Sequence, residues 1–180
     1  MKKSIWIFGL LSGLVITGFM VFSSVMCHSH PERQDIGMVL GYTGMLLAFS
    51  FVFVGIKNYR DRFNGGVITF GEAFKIGGLM ALVASTMYVI VWLFEFYLFM
   101  PDFMETYMKH VITQAQRDGA SQAEINKQIA EMAWYRDAYK TPFGVIALTY
   151  MEVIPVALVM TLISALILKR KPKAPAAVMA

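Results

Sequence analysis

Long stretches of apolar side chains alternate along this chain with short charged segments. Four stretches are long enough to cross a bilayer: Ser4 to Met26, Ile36 to Ile56, Ile76 to Met100 and Pro142 to Leu168. A helix rises 1.5 Å per residue, so about 20 apolar residues match a hydrocarbon core of about 30 Å. The first two stretches contain no charged residue, whereas the third holds Glu95 and the fourth Glu152.

Residues 101–141 follow a different pattern. In "DFMETYMKHVITQAQRDG", Phe103, Tyr107, Val111 and Ala115 recur at helical spacing, and in "SQAEINKQIAEMAWYRDA" Ile125, Ile129 and Met132 do the same. Gly119 can end the first helix, and Ser121 followed by Glu124 has the spacing of a capping box for the second. The pattern predicts a helical hairpin outside the membrane. It reads either as a connector whose apolar stripes bury each other, or as a docking surface or lid over the bundle's outer mouth. Its length, about 40 residues, exceeds what joining two neighbouring spans requires.

Composition sharpens the class. With 57% hydrophobic residues, 16% charged residues and a mean hydropathy of +0.57, the chain is too apolar for an ordinary soluble domain. The fold class predicted is all-α: a polytopic membrane protein with four transmembrane helices, forming a single membrane domain over residues 1–180, with an extracytoplasmic helical hairpin between helices 3 and 4. Lys2 and Lys3 ahead of an apolar stretch also suit a signal peptide, but the stretch is too long for a signal core and reads as a retained span. Cys27 is the single cysteine, so no internal disulfide forms.

Charge sets the expected orientation. With the N-terminus inside, the inner segments carry Lys2, Lys3, Lys57, Arg60, Arg62, Lys75, Lys169, Arg170, Lys171 and Lys173, against Arg33 in the short outer loop. Basic residues in 101–141 are interspersed with six acids and sit mostly away from the span ends. The asymmetry predicts both termini in the cytoplasm. Lys57, Arg60 and Arg62 would hold the connection between spans 2 and 3 against anionic headgroups, at about 1 kcal/mol each. Next, Asn64-Gly65-Gly66 supplies residues that accept positive φ, and Thr69 with Glu72 three positions on has capping-box spacing, so the third helix is expected to start near Phe70. Glu72 is read first as a cap.

The run Asn58-Tyr59-Arg60-Asp61-Arg62, then Gly66, then Ile68 to Lys75 and Gly77, resembles the signature of a bacterial membrane family known as domain of unknown function 4199. The likeness extends over residues 5 to 168, with four spans in the same places, and Glu152, Pro155 and "LISALILKRK" resemble its C-terminal end. The resemblance implies an inner-membrane protein of a Gram-negative bacterium. It carries over no activity and no functional residues.

In lipid, helices associate through close approach of small residues and through polar contacts. Gly9, Gly13 and Thr17 mark one face of the first span, Gly37, Gly41, Gly44 and Ala48 one face of the second, and Gly77, Ala81 and Ala84 one face of the third. These read as packing within the chain. Glu95 shares the face of Gly77, Ala84 and Tyr88 and is expected to point inward. Glu152 lies near mid-bilayer, with Pro155 expected to kink the helix beside it. A charged Glu there costs about 2.5–3.5 kcal/mol, so both acids are expected to turn from lipid and to bond with groups such as Tyr42, Thr43, Tyr88 or Tyr150. The candidate intramembrane site is therefore Glu95, Glu152, Tyr88, Tyr150 and Pro155. The cytoplasmic interfacial motif is Asn58, Tyr59, Arg60, Asp61, Arg62, Gly66, Phe70 and Glu72. The acids read either as hydrogen-bonding glue or as a proton- or cation-handling site.

Other chemistry is weaker. Cys27, His28 and His30, with Glu32, Asp35 or His110, offer thiol and imidazole ligands, but such loop clusters seldom bind metal, and no metal or cofactor is assigned. No phosphate loop, HExxH, GxSxG or nucleophile–base set stands out. The "KRKPK" tail follows a span directly and reads as a topology lock and lipid contact, not a nucleic-acid site. The expectation is a non-enzymatic structural or accessory protein of the bacterial inner membrane. Its partners would be the bilayer and a protein bound through the 101–141 hairpin, with a homo-oligomer left open. The rival is a small proton- or cation-coupled transporter subunit.

Overall fold

The computed structural model describes residues 2–30 and 34–171 of the chain. They form six helices: α1 (Lys2–Ser29), α2 (Gln34–Phe63), α3 (Phe70–Leu98), α4 (Phe103–Arg117), α5 (Gln122–Tyr139) and α6 (Pro142–Leu168). No strand occurs among the described residues, and one isolated bridge pairs Ile68 with Arg170. Four helical segments, Lys2–Cys27, Ile36–Phe63, Phe70–Leu98 and Pro142–Leu168, are long and apolar enough to cross a membrane. Helix α2 continues past Ile56 through the charged residues to Phe63. Arg60 and Arg62 in its last turn favour this continuation, because cations suit the negative end of the helix dipole.

The long helices form a four-membered bundle. Helix α1 packs against α2 and α3, α6 packs against the same two, and α2 and α3 touch across the diagonal. The ring order is therefore α1, α2, α6, α3. The start of α1, the α2–α3 turn and the end of α6 share one end, hereafter the terminus end. The α4–α5 hairpin stands at the other.

Close packing fills the middle. Phe49, Val52, Met80, Ala84 and Val153 are fully or almost fully buried, and the Ser12 hydroxyl donates to the Ala48 carbonyl at 2.7 Å. Small residues permit this approach. A Cβ added at Gly77 would stand 2.7 Å from Ile56 Cδ1 and 3.0 Å from Thr161 Cγ2, and one at Gly9 would stand 2.9 Å from Val83 Cβ. Gly41 departs from the expectation: no atom beyond its own stretch of helix backbone lies within 4 Å of its hypothetical Cβ, whereas Phe19 of α1 packs one turn away, against Gly44.

At the terminus end, Gly65 and Gly66 take φ of 63° and 78°, the left-handed region that glycine enters without a Cβ clash. The Asn64 amide donates to the Val67 carbonyl at 2.8 Å. Thr69 then caps α3 in a complete capping box: the Glu72 N–H donates to Thr69 Oγ1 at 3.2 Å, and the Thr69 N–H donates to the Glu72 carboxylate at 3.2 Å. The helix starts at Phe70, as its spacing predicts.

The hairpin also follows its sequence. Gly119 turns with φ of 79°, and Ser121 and Glu124 form a second capping box. Ala115 of α4 and Ile125 of α5 are buried where the two helices meet. Rings fasten the hairpin to α3: Trp92 and Phe103 pack edge-to-face at 5.0 Å between centroids, and Phe96 and Tyr139 at 5.4 Å.

Candidate functional site: a seam of acids and tyrosines

Helical periodicity places Gly77, Ala81, Ala84, Tyr88 and Glu95 of α3 on its buried side. Glu95 is 9% exposed and accepts a 2.9 Å hydrogen bond from the Ser24 hydroxyl of α1. It points inward, as expected, but its partner is neither a tyrosine nor a threonine. Ser24 is not among the partners that the sequence pattern suggests. The signal available was depth, since Ser24 and Glu95 both lie a few residues from the hairpin-side end of their spans.

Glu152 departs from the expectation that both acids turn away from the outer surface of the bundle. Its neighbour Val153 is fully buried, and a rotation of about 100° per residue carries Glu152 to the flank of α6, where it is exposed. Glu152 stands within electrostatic reach of Tyr88 of α3 and Tyr139 of α5, and Tyr88 is also within reach of Glu95 and Tyr42. Tyr88, 9% exposed, is thus within electrostatic reach of both acids. Burial, with the Glu152 charge adding, pushes the phenol of Tyr139, which lies outside the spans, up to about 12. The seam draws on α1, α2, α3, α5 and α6 at the hairpin half of the bundle.

Two other candidates stand apart from the acids. The Thr86 hydroxyl donates to the Leu82 carbonyl at 2.8 Å, so the Tyr150 hydroxyl, 2.9 Å away, donates to Thr86 and ties α6 to α3. Pro155 is exposed, and α6 runs unbroken through it from Pro142 to Leu168. Tyr42 and Thr43 are exposed on α2.

The interfacial motif lies at the opposite end. Tyr59 stacks on Phe63 at 6.3 Å between centroids and Phe70 on Phe74 at 5.8 Å, while Asn58 is half-buried and Arg62 exposed. Arg60 donates through Nε and Nη2 to the Asp61 carboxylate at 2.6 and 3.2 Å, and through Nη1 to the Leu168 carbonyl at 3.2 Å. That last bond satisfies a carbonyl at the end of α6. The Gly66 N–H donates to the Arg60 carbonyl at 2.9 Å, and Ile68 and Arg170 exchange backbone bonds of 3.0 and 2.8 Å. The motif closes the α2–α3 turn onto the tail of α6, a long-range relation that its own spacing did not reveal.

Of the loop candidates for metal, Glu32 lies outside the described residues, as do the side chains of His28 and Asp35. Among the described residues no group of three or more His, Cys, Asp or Glu is arranged to hold a metal ion. A shallow apolar depression lined by Ile90, Leu93, Phe94, Tyr97 and Leu98 lies along α3, and neither acid belongs to its wall.

The family model described as protein of unknown function, DUF4199, matches residues 6–170. No curated protein and no solved structure matches the chain.

Proposed function

The chain belongs to the DUF4199 family, and on that premise we propose that it is a non-enzymatic structural or accessory component of the bacterial inner membrane, holding a protein partner against the flank of α6. In this reading both termini are cytoplasmic and the hairpin is extracytoplasmic, with Lys57, Lys75 and Lys169 on the inner side of the spans. The exposure of Glu152 carries the proposal. It lies about ten residues into α6, roughly 15 Å along the helix and so near the middle of a 30 Å core. An acid there is costly in lipid, and among the described residues it has no hydrogen-bond partner. A polar group on a neighbouring polypeptide, backed by the hairpin above it, would relieve that cost.

The test is purification of the intact protein in mild detergent beside the Glu152→Leu variant and a deletion of residues 103–138. A stoichiometric partner retained by the wild type and lost from both variants, while they stay folded, is expected. A wild type that carries lipid alone would refute the reading.

A proton- or cation-coupled transporter subunit is the second reading, and the electrostatic influence of both Glu95 and Glu152 on Tyr88 favours it. Each of the three groups carries an exchangeable proton, and Tyr88 is coupled electrostatically to both acids. Flux in vesicles that disappears in both Glu95→Gln and Glu152→Gln would establish it. Flux unchanged in both variants would dismiss it.

A further inference from the structure

We infer that the terminus end of the bundle carries a seat for the headgroup of an anionic phospholipid, built by Lys57 of α2 and Arg170 just beyond α6. Three cations, Lys57, Arg60 and Arg170, converge electrostatically on one carboxylate, Asp61. Arg60 already holds that carboxylate through two hydrogen bonds and spends its remaining contact on the Leu168 carbonyl. Its role is structural, which removes it from the headgroup contacts expected of it. Among the described residues neither Lys57 nor Arg170 forms a salt bridge or a side-chain hydrogen bond. Two exposed cations therefore remain with their shared counter-charge taken.

The seat is pre-organised. Arg170 is fixed by both backbone hydrogen bonds to Ile68, and Lys57 sits one turn before Asp61 on a regular helix. Fixing both backbones beforehand lowers the entropy lost on binding. A lipid fits better than an acidic protein, because Leu166 and Ile167 are exposed on the adjoining turn of α6, where acyl chains would run below the phosphate. Arg62 belongs elsewhere: five residues from Lys57, it is turned about 140° around α2.

The experiment measures adducts of the full chain in maltoside detergent by native mass spectrometry, using dioleoylphosphatidylglycerol and dioleoylphosphatidylcholine, which share acyl chains and differ in charge. Preference for phosphatidylglycerol is expected. Lys57→Gln and Arg170→Gln should each weaken its binding about 5-fold, while Arg62→Gln changes it less than about 2-fold. The Arg170→Gln change leaves the backbone bonds to Ile68 intact, and Arg170→Lys should retain binding. Equal binding of the two lipids, or equal losses in all three Gln variants, would overturn the inference. So would displacement of the lipid by inorganic phosphate or by polyglutamate, since either would show that the seat takes free phosphate or an acidic chain instead.

Discussion

The Ser24 hydroxyl donates to the Glu95 carboxylate at 2.9 Å, joining α1 to α3 at the hairpin end of the bundle. Replacing Ser24 with Ala leaves a buried carboxyl without its donor. The expected loss is about 0.5–2 kcal/mol, the range between side-chain bonds in membrane bundles and the cost of a stranded buried group. Glu95→Gln keeps an acceptor oxygen for Ser24 and should lose less than Glu95→Ala. Thermal unfolding in detergent checks both comparisons. Equal stability of Ser24→Ala and wild type would deny the bond any structural weight.

Close approach gives a second, opposite pair of outcomes. Gly77→Val would press its Cβ against Ile56 and Thr161 and should cost about 1–3 kcal/mol by overpacking. Gly41→Ala enters open space and should be neutral or stabilising by up to about 1 kcal/mol through helix propensity. Denaturant titration of the two variants separates a packed glycine from one that merely has the right spacing.

These cases show where sequence suffices. The capping boxes at Thr69–Glu72 and Ser121–Glu124 are legible because all their atoms lie within four residues, and the inward side of Glu95 follows from helical period. Gly41 misleads because spacing identifies a small-residue face without saying which turn the neighbour covers. Glu152 misleads similarly: one residue separates the buried Val153 from the exposed flank, and the position of α2 and α3 around α6 decides the boundary. The contacts of Ser24 with Glu95 and of Ile68 with Arg170 connect segments far apart in the chain, so local pattern carries no trace of them.

The start of α3 is set by one side chain. Thr69→Ala removes the acceptor for the Glu72 N–H and should destabilise by about 1 kcal/mol, while Thr69→Ser preserves it and should stay close to wild type. Hydrogen exchange at the first-turn amides of α3 should rise in the alanine variant alone.

The hairpin should respond to acid. Two hydrogen bonds from Ser121, backbone first, hold Glu124 below its ordinary 4.5, and the Lys140 ammonium holds Asp137 below its ordinary 3.8. A carboxyl depressed in the folded state adds stability that is full above its ordinary value and is lost as pH falls through the folded one. The gap in thermal midpoint between wild type and Ser121→Ala should therefore be constant from pH 7 to about pH 5 and narrow below it. A gap independent of pH down to 3 would contradict the assignment.

The exposed acid of α6 gives the most direct measurement. A photo-reactive amino acid at Leu148 or Val159 lies on the same flank as Glu152, and one at the exposed Leu158 is turned about 120° away around the helix. After illumination in native membranes, the flank positions should give a discrete polypeptide adduct that Glu152→Leu abolishes, and Leu158 should give lipid adducts. Lipid adducts alone from Leu148 and Val159 would place Glu152 among acyl chains and contradict a partner at this seam.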